Sequence, residues 1–88
     1  NLKFDIIRLS GTTDEYGQLW VGAPNIELDK VTYIDCLTST FSRSIAPYGI
    51  INLESIENDG LKFRLIATNN STFNNYSIDK NVFVVYKY

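Results

Sequence analysis

Hydrophobic and polar residues alternate along this chain in short runs separated by polar turns, and no stretch repeats its apolar positions every 3.6 residues for as long as three helical turns. Period-two alternation marks a strand whose two faces meet different surroundings. The first run, residues 2–9, sets Leu2, Phe4 and Ile6 on one face and Lys3, Asp5 and Ile7 on the other, and the pattern blurs towards Leu9. Gly11 and Gly17 bracket a polar turn whose Thr12-Thr13-Asp14 can bond its own backbone. In the run that follows, 18–22, Leu19 and Val21 share one face and Gln18 and Trp20 the other. Residues 2–22 are therefore expected to close as one β-hairpin.

The same grammar continues. Pro24 ends the second run because proline cannot donate to a ladder, and 26–30 forms a short connector. Residues 31–37 read as a strand with Ile34 and Cys36 inward and Tyr33 and Asp35 outward. Residues 41–53 read as two short strands bent at Pro47 and Gly49. A polar run, 54–60, ends in Asp59-Gly60, a hairpin signal. The cleanest strand follows: Leu61, Phe63, Leu65 and Ala67 alternate with Lys62, Arg64, Ile66 and Thr68, one face apolar and the other mostly solvated. After a polar loop at 69–75 interrupted by Phe73, a brief strand is expected at 76–78, a turn at Asp79-Lys80-Asn81, and a last strand from Val82 to Tyr88. That strand is apolar on both faces, which suits a central position or a contact between subunits. The expectation is an all-β fold: a small antiparallel β-sandwich or jelly-roll-like domain of seven to eight short strands, with 1–88 as a single domain. Because it begins at Asn1 and not at a methionine, the chain is expected to be a domain cut from something longer.

Composition narrows the function. A chain of 88 residues buries only about 60–65% of its unfolded surface, so association of several copies is expected to supplement its core. The net charge is −2 and the eight basic residues are scattered singly. Nucleic acid, which needs clustered cations, is therefore not expected as a partner. No long apolar run suits membrane insertion. Histidine is absent and Cys36 stands alone, so Cys36 reads as a small hydrophobe, and neither a metal, a cofactor nor a catalytic residue is expected. The close acidic pairs, Asp14 with Glu15 and Glu57 with Asp59, lie in turns. Neither supplies by itself the two carboxylates about 5–10 Å apart across a cleft that glycoside hydrolysis uses.

Three segments, in order, carry a resemblance. Ser10-Gly11-Thr12-Thr13-Asp14-Glu15-Tyr16-Gly17-Gln18-Leu19 resembles a Gly-Thr-Thr-Asp hairpin. Val31 to Cys36 followed by Ile45-Ala46-Pro47-Tyr48 is similar to a hydrophobic strand, variable loop and Ile-x-Pro-Tyr segment, and Val82 to Tyr88 resembles a terminal strand ending in aromatics. All three are features of C-terminal tip domains of tail-fibre and baseplate receptor-binding proteins from phages of Gram-positive bacteria. Such domains often place a tryptophan where Leu61-Lys62-Phe63 stands here, so no ligand position is carried over. The resemblance implies a C-terminal fragment of a longer fibrous protein: a non-enzymatic homotrimeric domain on an extracellular virion tail appendage that recognises a host cell-surface saccharide or protein. A purely structural fibre-terminating trimer and a carbohydrate-binding or adhesion module of a bacterial protein stand as alternatives.

Six residues are candidates for ligand binding or an interface. Trp20 points away from Leu19 and Val21, which leaves it as a core residue if the faces are misassigned, a subunit contact, or a platform for a sugar ring. Asp14, Tyr16, Asn74, Asn75 and Tyr76 offer aromatic faces beside acceptors and amides in loops, the groups that sugar recognition uses; turn geometry alone also favours these residue types.

Overall fold

A computed structural model describes residues 1–37, 40–41 and 49–88. Among the described residues, seven strands form two antiparallel sheets: β1 (Lys3–Thr12), β2 (Gln18–Gly22), β3 (Tyr33–Cys36), β4 (Thr40–Phe41), β5 (Gly49–Glu57), β6 (Gly60–Ala67) and β7 (Ser77–Lys87). One sheet has the order β1-β7-β3 and the other β2-β6-β5-β4, and they stack as the expected small β-sandwich. One turn of 3₁₀ helix, Leu28–Lys30, lies in the connector. The proposed bend at Pro47 lies outside the described residues.

The core is the meeting of two inward faces. Ile7, Leu9, Val82, Val84 and Tyr86 from the three-stranded sheet pack against Phe41, Ile51, Leu61, Phe63, Leu65 and Ala67 from the four-stranded one, with Ala23, Ile26 and Phe73 completing the cluster. β6 follows its sequence pattern residue for residue, with Leu61, Phe63, Leu65 and Ala67 buried and Lys62, Arg64 and Ile66 half-exposed. Fully buried Phe63 alone contributes about 1.5–3 kcal/mol by leaving water. Cys36 packs half-buried against this core.

The expected hairpin over 2–22 does not form. β1 pairs with β7 and β2 pairs with β6, so 13–17 is an arch crossing from one sheet to the other. The register explains the choice: β1 buries Ile7 and Leu9, whereas β2 turns Leu19 and Val21 inward from the opposite layer. Leu2, Phe4 and Ile6 consequently lie on the outer surface.

Two further expectations are corrected. The hairpin signalled by Asp59-Gly60 forms between β5 and β6, but residues 54–57 are strand and the chain reverses at Asn58-Asp59, both with positive φ (51° and 59°), while Gly60 already belongs to β6. Asn and Asp tolerate the left-handed region that a two-residue hairpin turn requires. Residues 79–81 are also strand, because β7 runs unbroken opposite β1, with Asp79, Lys80 and Asn81 facing Ser10, Leu9 and Arg8. The Arg8 guanidinium grips Asp79 with two hydrogen bonds of 2.9 and 2.7 Å. β7 is central in its sheet, as its two apolar faces suggested.

Candidate functional site

Five of the six candidate residues meet at one end of the sandwich, where the 13–17 arch runs beside the 72–76 loop that crosses back to β7. Thr13, buried between them, joins the two: its N–H donates to the Tyr76 carbonyl (2.9 Å), its hydroxyl donates to the Phe73 carbonyl and accepts from the Tyr76 N–H (2.9 Å). The Asn75 N–H, on a residue with φ of 51°, donates to the Asp14 carbonyl (3.2 Å). Gly17 has φ of 75°, and a Cβ there would lie 2.9 Å from the Leu65 carbonyl oxygen, so glycine is required where the arch meets β6.

The polar groups of this end serve the fold. Asp14 Oδ1 accepts from the N–H groups of Tyr16 (2.8 Å) and Gln18 (2.9 Å). Those donors, Gln18 first, hold its carboxyl below the usual carboxylate range. Asn74 Oδ1 accepts from the Thr72 hydroxyl. The Tyr76 ring stacks in a tilted triad with Phe73 (5.2 Å between centroids) and Phe41 (5.8 Å). Tyr16 presents an exposed ring at the tip.

Trp20 lies apart from these five, on the outer side of the four-stranded sheet and nearer the Asn58-Asp59 turn. It is 48% exposed. Its Nε1–H donates to the Glu57 carbonyl (2.5 Å), and its ring crosses Gly60, where a Cβ would fall 2.4 Å from the ring atoms. An aromatic laid over a cross-strand glycine covers the bare backbone and is itself held flat.

The same face carries the polar halves of three strands. Lys62, opposite Trp20, pairs with Glu57 at 3.0 Å, and Arg64, opposite Gln18, pairs with Glu54 at 3.0 Å. The Gln18 amide also donates to Glu54 (3.0 Å). The register of β5 against β6 shifts between Leu53 and Ser55. Glu54 is the extra residue of that bulge, and bulges re-aim side chains in this way. An aromatic slab thus adjoins two cations and two anions that cancel, beside amide and carboxylate groups able to share hydrogen bonds with hydroxyls.

Gln18, Glu54, Gly60, Lys62 and Arg64 were not among the sequence candidates. The signal for three of them was present: Gln18 shares the Trp20 face by alternation, and Lys62 and Arg64 occupy the solvated face of the most regular strand. Among the described residues, no group of three or more Cys, Asp or Glu side chains is placed to hold a metal ion. No family model, curated protein or solved structure matches the chain.

Proposed function

We propose that this chain is a non-enzymatic recognition domain that binds a neutral surface saccharide on the Trp20 face. The resemblance of its three segments supports a setting at the tip of a phage tail appendage, in three copies. The carrying observation is the Trp20 indole, pinned across Gly60 by the Glu57 carbonyl and half open to solvent amid Gln18, Glu54, Lys62 and Arg64. A sugar ring offers an apolar C–H face for such a slab and hydroxyls for the surrounding acceptors and amides. Paired charges favour a neutral ligand over an anionic one. A single shallow site of millimolar affinity is worth about 4 kcal/mol, and linked copies on one appendage gain a further factor of about 10²–10⁴.

Trp20 is the one tryptophan, so intrinsic fluorescence reports on the site directly. Titration with cell-wall saccharide from Gram-positive bacteria is expected to shift its emission, and Trp20→Ala is expected to abolish binding to whole cells while circular dichroism stays β-rich. Undiminished cell binding by a folded Trp20→Ala protein defeats the reading. A purely structural, fibre-terminating role is the second reading, favoured by the bare apolar face of the β1-β7-β3 sheet. It expects no cell binding by the wild-type protein.

A further inference from the structure

The outer face of the β1-β7-β3 sheet carries three rows of side chains in register. Leu37, Phe83 and Ile6 form one row, with the Leu37 N–H donating to the Phe83 carbonyl (2.8 Å) and Phe83 opposite Ile6. Asp35, Val85 and Phe4 form the next, and Tyr33 and Lys87 the third, with Leu2 one position before β1. Leu2, Phe4, Ile6, Tyr33, Leu37 and Phe83 are between 49 and 61% exposed, while Val85 at their centre is 5% exposed. On a scale of about 200 Å² for a large side chain, six of them half exposed offer roughly 600 Å², the upper end of what monomers leave bare. That approaches the roughly 800 Å² each partner gives to a standard interface.

We propose that this face is covered by further copies of the same chain, packed face to face. The inference deepens the multi-copy part of the proposed function and is independent of its saccharide part. Within the three rows the charges are one Asp35 and one Lys87, so the patch is neutral and one copy can set its Asp35 against the next copy's Lys87. The bordering Arg8 is already locked to Asp79. A different partner needs no such self-matching.

The sheet edges favour stacking of faces over strand addition. Because the Phe83 carbonyl is used by β3, antiparallel alternation sends the Ile6 N–H to the open edge of β1. There it is bonded by its neighbour's Asp5 Oδ1 (2.8 Å). The Cys36 N–H on the open edge of β3 is bonded in the same manner by Asp35 Oδ1 (2.8 Å). Side chains that occupy edge N–H groups, together with Lys3 and Asp5 directed inward along β1, blunt pairing with an incoming strand.

Light scattering coupled to size exclusion tests this. The wild-type chain is expected at two or three times its single-chain mass of 10.0 kDa, and Phe83→Glu and Phe4→Lys are each expected to lower the mass two- or three-fold to the single-chain value, with far-UV circular dichroism unchanged. Ile56→Lys, which alters an exposed apolar residue outside the patch, is expected to leave the mass of the assembly intact, as is Trp20→Ala. A wild-type protein that stays at 10.0 kDa up to high concentration overturns the proposal, whether or not it binds phosphatidylcholine vesicles, and so does an assembly that survives Phe83→Glu. Cell binding enters neither outcome, so failure here leaves the saccharide reading standing on its own test.

Discussion

The Trp20 indole and the Gly60 backbone occupy adjoining space so closely that a methyl group on Gly60 would lie 2.4 Å from ring carbons of the indole. The ring is also tied by Nε1 to the Glu57 carbonyl, so it cannot lift without giving up that bond. Gly60→Ala is therefore expected to tip the indole off the sheet, costing about 1–3 kcal/mol by overpacking, and to red-shift tryptophan emission. Gly22→Ala is the matched control, since its Cβ would meet the same ring at an ordinary 3.7 Å. Thermal melts and emission spectra of the two variants check the prediction, and equal behaviour would show that the ring is not held where it lies.

Thr13 is the buried joint between two arches that cross between sheets at the same end. Thr13→Val keeps its shape but removes the hydroxyl that serves Phe73 and Tyr76. The expected loss is about 1–3 kcal/mol, the cost of stripping a buried hydrogen-bonding group of its partner. Thr13→Ser keeps the hydroxyl and is expected to recover most of the hydrogen-bond contribution. Chemical denaturation of both proteins separates this from a packing effect, which would penalise Ser more than Val.

Which parts of this molecule were legible follows from how local their causes are. β6 could be read directly because Leu61, Phe63, Leu65 and Ala67 face a core while Lys62 and Arg64 face water, so periodicity alone fixes its orientation. β1 and β7 could not, since Phe4, Ile6, Phe83 and Val85 make their outer faces as apolar as their inner ones. The 11–17 segment has the composition of a hairpin turn and of an arch alike. What separates them is the pairing of β1 with β7, at the far end of the chain. Asp79-Lys80-Asn81 looks like a turn and becomes strand because β1 lies opposite it. At the site, alternation against Leu19 and Val21 sufficed to turn Trp20 outward. Its seat on Gly60 and the arrival of Glu54 through a bulge depend on register, which no local pattern states.

Asn58 and Asp59 both hold left-handed conformations in the β5–β6 turn. Forcing a β-branched residue into that region costs about 1–2 kcal/mol. Asp59→Ile is thus expected to lower the melting temperature, at about 4–8 °C per kcal/mol for a domain of this size. Asp59→Gly, which adopts the same φ without a Cβ penalty, is expected to raise it slightly. A differential scanning calorimetry series over the two variants reads the sign directly; a stabilising isoleucine would mean that the turn is not of this type.

Asp14 gives the fold a dependence on acid that can be assigned to one carboxyl. The N–H groups of Gln18 and then Tyr16, with weaker help from the Lys62 and Arg64 cations, hold its folded-state pKa below the ordinary value. A depressed carboxylate contributes stability that is complete above its unfolded pKa of about 3.9 and is lost as pH falls through the lower folded value. Asp14→Asn preserves an acceptor oxygen but cannot carry the charge. The melting-temperature gap between wild type and Asp14→Asn is therefore expected to be constant from about pH 7 to 5 and to close as pH falls below about 4. Asp79 is also depressed, through its hydrogen bonds to Arg8, and titrates in the same window, so the comparison is repeated in an Asp79→Asn background, where the Asp14 gap is expected to persist. A gap that stays constant down to about pH 2.5 would mean that the turn depends on the acceptor geometry of residue 14 and gains nothing from its charge.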